Sequence, residues 1–164
     1  MKTAFLLSIV MMAGLFLMLY AGVGLIQEKK YFTSAPKELQ DLIPEHIPER
    51  FHGAHVLGWI LMILSMILLF GAAVFAGYDG VQNHFTFLQL FIRYLVMFFL
   101  LKVFDIVFFD LYLLCNSGFY PHFYPQVNGH TDMHLFGFNA ESHIIQILAC
   151  IPLSLLLAWI CTLL

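Results

Sequence analysis

AHVLGWILMILSMILLFGAAVFAGY, residues 54–78, runs for 25 positions without a charged side chain. A helix needs about 20 apolar residues to cross a bilayer. In hydrocarbon the backbone must satisfy its own hydrogen bonds, so such a run is a helix and not an isolated strand. Three further runs have the same character: Thr3–Ile26, Phe85–Leu114 and Ile144–Leu164. Pro152 lies inside the last and is expected to bend that helix without ending it.

Composition agrees. The chain has 164 residues, of which 62% are hydrophobic and 10% charged. Ordinary soluble domains carry about 25% charged residues. The expectation is an all-α integral membrane protein: one domain over residues 1–164, folded as a four-transmembrane-helix bundle with spans near 3–26, 54–78, 85–114 and 144–164. The net charge of −3 and the lack of a basic run exclude nucleic acid as a partner. The lipid bilayer is the expected partner. Cys115, Cys150 and Cys161 form no CxxC pair and read as small apolar core residues.

Four spans place both termini on one face, together with the turn Asp79–Asn83. The connections 27–53 and 115–143 share the other, wider face. Lys29, Lys30, Lys37 and Arg50 stand in these wide-face loops, and this bias places them in the cytoplasm. A first helix led by Lys2 argues the reverse. The first run exceeds the 7–15-residue apolar core typical of a signal peptide. It ends on Gln27-Glu28-Lys29-Lys30, which reads as a membrane exit.

The first wide-face loop contains a short helix over 34–43. Ser34 is placed to cap it, Pro36 suits its first turn, and Leu39, Leu42 and Ile43 share a side. It is expected to lie along the interface, apolar side down. The second loop opens on a doubled FYP at Phe119–Pro125. Its tyrosines read as headgroup-level anchors, or alternatively as an aromatic wall for a ligand.

The third run holds Arg93, Lys102, Asp105 and Asp110. A charge at the bilayer centre costs at least about 2.5–3.5 kcal/mol, so such groups face inward and pair. Lys102 and Asp105 are three residues apart and close enough to pair. On an α-helix Asp110 falls about 80° from Lys102, and Arg93 about 180° away from it. Arg93 is thus a snorkelling residue or a separate interhelical contact. The other three read either as a packing pair with a neighbour, or as a proton relay or headgroup site.

Of the eight histidines, only His84 belongs to the narrow face. In GHTDMHLFGFNAESH, residues 129–143, three histidines stand with an aspartate and a glutamate. Imidazole and carboxylate are ligands for zinc and non-haem iron. The candidate ligands for a divalent metal (Zn or Fe) are His52, His55, His130, Asp132, His134 and His143. No HExxH is present, and each histidine alone also reads as an interfacial hydrogen-bonding residue. His55 and His143 are the available pair for a haem, without a CxxCH. On the fourth run His143, Gln146, Cys150 and Ser154 form a polar stripe. On the second, Ala54, Gly58, Ser65 and Ala72 form a small-residue stripe suited to close helix contact.

The candidate catalytic residues are Lys102, Asp105, Asp110 and Glu141. Three readings follow. One is a metal-assisted or acid–base enzyme, or a binder, for an amphiphilic lipid- or quinone-like ligand. Another is a small-solute, ion or proton-coupled transporter or channel working as a homo-dimer. A third is a structural subunit of a membrane complex. The polar groups gather on one face, which suits a pocket better than a pore.

Overall fold

A computed structural model describes residues 2–29, 35–44 and 47–164. Among these the chain is all-helical, with no strand. α1 (Lys2–Tyr20) runs into a π-helical segment, π1 (Ala21–Ile26). α2 (Lys37–Leu42) lies in the first long loop, and α3 (Ala54–Gln82) follows it. α4 (Phe87–Phe104) continues as a second π-helical segment, π2 (Asp105–Leu114). α5 (Phe119–Phe123) and two short 3₁₀ turns, Pro125–Val127 and Met133–Leu135, lead to α6 (Ala140–Thr162).

Among the described residues, three helices are long and apolar enough to cross a membrane: Lys2–Ile26, Ala54–Gln82 and Ala140–Thr162, of 25, 29 and 23 residues. They mark a membrane-embedded helical protein. The third run differs from the expected single helix, because it is α-helical only to Phe104 and π-helical beyond. The turn expected at Asp79–Asn83 is displaced to 83–86, since α4 begins at Phe87 and α3 continues to Gln82. Asp79 is held there by Asn83 Nδ2, which donates to its backbone oxygen at 2.7 Å. α4 then starts behind a capping box, with Thr86 accepting from Gln89 N at 3.4 Å and Gln89 Oε1 accepting from Thr86 N at 2.9 Å.

α1 packs along α3 and also against α4, while α6 packs along α4 and more sparingly against α3. The small-residue stripe of α3 is buried at all four positions. Gly58 is the tightest of them: a Cβ there would stand 2.7 Å from Ile26 Cγ1 and 3.2 Å from Ile26 N. Lower down, Ala4, Leu7 and Met11 of α1 share a core with Ala72 and Ala76 of α3 and with Tyr94 and Met97 of α4.

Arg93 is buried and does not snorkel. Its Nη1 donates to Asp79 Oδ2 at 2.7 Å and to Ala76 O at 2.9 Å, and its guanidinium stacks over Phe85. The expected interhelical contact is thus an ion pair that ties α4 to the end of α3.

The wide-face loops build a core of their own. Leu39 and Ile43 of α2 pack with Tyr120, Tyr124, Val127 and Leu135 and with Phe109, Leu113 and Leu114 of π2. Leu39 and Ile43 thus rest on protein, while Leu42 of the same apolar side is exposed. Ser34 lies outside the described residues. The tyrosines of the doubled FYP are likewise buried, Tyr120 to 2% and Tyr124 to 1% exposure, and so are not headgroup anchors. Phe123 is fitted against Gly24 of π1, where a Cβ would meet its ring at 2.9 Å.

Two glycines of α3 give opposite expectations. Gly58→Ala should destabilise the protein by about 1–3 kcal/mol, since backbone as well as side chain blocks the new methyl. Gly71→Ala, with nothing within 4 Å, should stabilise it by about 0.5–1 kcal/mol through helix propensity. Thermal unfolding in detergent micelles measures both.

Candidate functional site

The polar residues of the third run and of α6 converge at the wide end of the bundle. In an α-helix, Asp105 and Asp110 would lie about 140° apart. In π2 the turns close by i→i+5 bonds, which bring the two carboxylates to one side. That side faces the first two turns of α6.

His143 sits between them. Its Nε2 is 2.5 Å from Asp110 Oδ2, and both side chains are buried. Its Nδ1 points toward Asp105 Oδ2 at 3.8 Å and has no hydrogen-bond partner. Lys102 pairs with Asp105 and also donates to Gln146 Oε1 of α6 at 2.5 Å. The chain of contacts therefore runs from Gln146 through Lys102 and Asp105 to His143 and Asp110.

A cavity of about 300 Å³ opens on this chain. Asp105, Asp110, His143 and Gln146 line it with Asn139 and Ser142, and the rings of Phe109 and Tyr120 form its apolar wall. An ionised Asp110 accepts the Nε2 proton, and Nδ1 then faces Asp105 across a gap. Lys102 and the two carboxylates sum to one negative charge.

The remaining candidates lie elsewhere. Glu141 is exposed in the first turn of α6, where its charge suits the helix dipole, and it does not line the cavity. His52 is exposed. His55 Nε2 accepts from Trp59 Nε1 at 3.0 Å and stands 3.5 Å from Glu28 Oε1. One nitrogen cannot accept from the indole and donate to the carboxylate at once, and the indole contact is the shorter. His130 is exposed, and its backbone N–H donates to Val127 O at 3.0 Å. Asp132 and His134 pair with each other in the open. There the backbone N–H of His134, donated at 2.8 Å, holds the Asp132 carboxyl below its usual range, and the imidazole adds to this.

The six metal candidates thus divide among three places. Among the described residues, no three His, Cys, Asp or Glu side chains gather as a ligand set. The haem pair does not form either, because His143 is committed to Asp110 and His55 to Trp59. The lower part of the α6 stripe is also diverted. Cys150 Sγ donates to Gln146 O and Ser154 Oγ to Cys150 O, at 3.2 and 2.6 Å, so both serve their own helix. The polar cavity stops at Gln146. Its other members, Asn139, Ser142, Phe109 and Tyr120, carried no sequence signal beyond their nearness to His143 and Asp110.

No protein-family model, curated protein or solved structure matches this chain.

A double-mutant cycle at Asp110 and His143 should give a coupling of about 0.5–3 kcal/mol. Each single change to leucine strands a buried polar partner, while Asp110→Leu with His143→Leu strands neither. The double variant should therefore unfold at a higher temperature than additivity allows. Strict additivity would show that the two groups do not touch.

Proposed function

We propose that this chain is a four-span membrane protein that receives the polar head of a lipid- or quinone-like amphiphile in the Asp105–Asp110–His143 cavity, either binding it or performing acid–base chemistry on it. The long loops lie on the cytoplasmic side with both termini opposite, and π2 completes the third span. The head enters at the wide end of the bundle and the tail stays in the surrounding hydrocarbon.

One observation carries the reading. A buried imidazole is oriented through one nitrogen by a carboxylate, and its other nitrogen is unpartnered beside a cavity. An oriented ring with a second nitrogen not engaged in a hydrogen bond is what a general base requires, and a small opening of the cavity wall would bring a reacting group to that buried nitrogen. Asp110 fixes the tautomer and stabilises the imidazolium once His143 has taken a proton. Lys102 neutralises Asp105 and holds Gln146, which leaves the amide and the hydroxyl of Ser142 to orient the head.

A proton-coupled transporter is the second reading, supported by the same chain of ionisable groups. It requires a dimer, because the polar path within one chain ends at Gln146. Proton flux in liposomes that Asp105→Asn abolishes would favour it.

A decyl-tailed quinone and a short-chain phospholipid are the binding probes. Asp110→Asn and His143→Gln should each weaken the binding of at least one probe by about tenfold, the loss of one charge-assisted hydrogen bond. Unchanged affinity for both probes, measured in micelles with intact helical content, contradicts the reading.

A further inference from the structure

At the opposite end of the bundle α3 and α6 diverge over α4. The gap between them is a crevice of about 750 Å³. Its walls are Phe70, Val74, Leu153 and Leu157, and its floor includes Tyr94 and Phe98 of α4. Phe70 and Val74 are 66% and 72% exposed, so the crevice opens sideways toward the hydrocarbon. An empty apolar gap forfeits the dispersion contacts of its lining, and water does not fill it.

The crevice shares part of its wall with a neighbouring cavity. Val81, Cys161 and Leu164 line it and also line a second cavity of about 580 Å³ at the α3–α4 turn. The second cavity is polar: Gln82, His84, Thr86 and Thr162 stand around it. The hydroxyl of Thr162 donates to Trp159 O at 2.7 Å, while that of Thr86 accepts from Gln89 N and keeps its own proton to give. Donors are therefore available from Gln82, His84 and Thr86, and no Asp or Glu among the described residues lines either cavity. The two adjacent cavities are apolar in the crevice and donor-rich at the turn, which is the polarity of one phospholipid molecule. A helix from a second copy would fill the crevice and leave the mouth facing apolar side chains.

We propose that the crevice between α3 and α6 holds an acyl chain of a phospholipid whose phosphate sits at the Gln82–His84–Thr86 mouth. This site shares no lining residue with the His143 cavity and is independent of the function proposed for it.

The test uses the full chain in phospholipid nanodiscs doped with a phospholipid carrying a diazirine at its acyl terminus. Photocrosslinks should concentrate on Phe70, Val74, Leu153 and Leu157. Ala73→Phe, which fills the crevice, should lower their yield about tenfold, with helical content retained. Val74→Trp at the exposed rim should do the same and covers the case in which Ala73→Phe fails to fold. Gln82→Ala with His84→Asn should reduce crosslinking by the phospholipid but not by a diazirine fatty alcohol, which has no phosphate. Asparagine is chosen because His84 has a φ of 53°, which asparagine tolerates. Crosslinks spread equally over lipid-facing Ile63 and Ile145 and unmoved by the crevice variants overturn the proposal. So do crosslinks from one copy to another at Val74. Equal loss of both probes in the mouth variant overturns the phosphate assignment.

Discussion

The charges of α4 and π2 fix the bundle, because none of them can face hydrocarbon unpaired. Arg93 is tied to Asp79 and to the last turns of α3. Lys102 reaches Asp105 and Gln146, and Asp110 reaches His143. One helical run is thus bolted to α3 at its start and to α6 at its finish. Truncating one partner of a buried pair typically costs about 3–5 kcal/mol, more than most single apolar contacts contribute. The apolar packing of α1 on α3 brings surfaces together, while the polar contacts set which faces meet. The crevice between α3 and α6 follows from this arrangement, since those two helices are joined mainly through α4.

The change from α to π geometry at Asp105 is what turns a set of charges into a site. A π-helix is a rare arrangement and frequently marks functional positions. Here it swings Asp110 onto the side that Asp105 already occupies. His143 then meets both carboxylates, one in direct contact and the other across a gap. An α-helical continuation would aim Asp110 away from α6 and leave His143 buried with no acceptor.

Much of the fold was legible because apolar length and charge spacing are strong signals. The end of α3 and the start of α6 moved by four residues at most, where Asn83 and Arg93 hold Asp79 in the last turn of α3 and Glu141 suits the first turn of α6. The pairing of Lys102 with Asp105 followed from their spacing, and the nearness of His143 and Gln146 from the stripe on α6, while the alignment of Asp110 with Asp105 needed the π turn. The π turn was not legible, since nothing in DIVFFDLYLL distinguishes it from α-helix by composition. The metal set failed for a related reason. Spacing placed histidines at helix mouths but could not say that His143 turns inward to Asp110, that His55 turns along its own helix to Trp59, or that Asp132 and His134 satisfy each other. The doubled FYP was misplaced because an interfacial tyrosine and a tyrosine buried under a loop look alike in sequence. Only the packing of α2 over Tyr124 separates them.

The account rests on a buried imidazole held between Asp110 and Asp105. Solid-state NMR on protein in lipid, labelled with ¹⁵N-histidine and ¹³C-aspartate, measures that contact directly. A short-range correlation from the His143 Nε2 to the Asp110 carboxyl carbon, lost in Asp110→Asn and unaffected by Asp132→Asn, is the expected result. A His143 ring that shows no carboxyl contact and exchanges freely with water would contradict it.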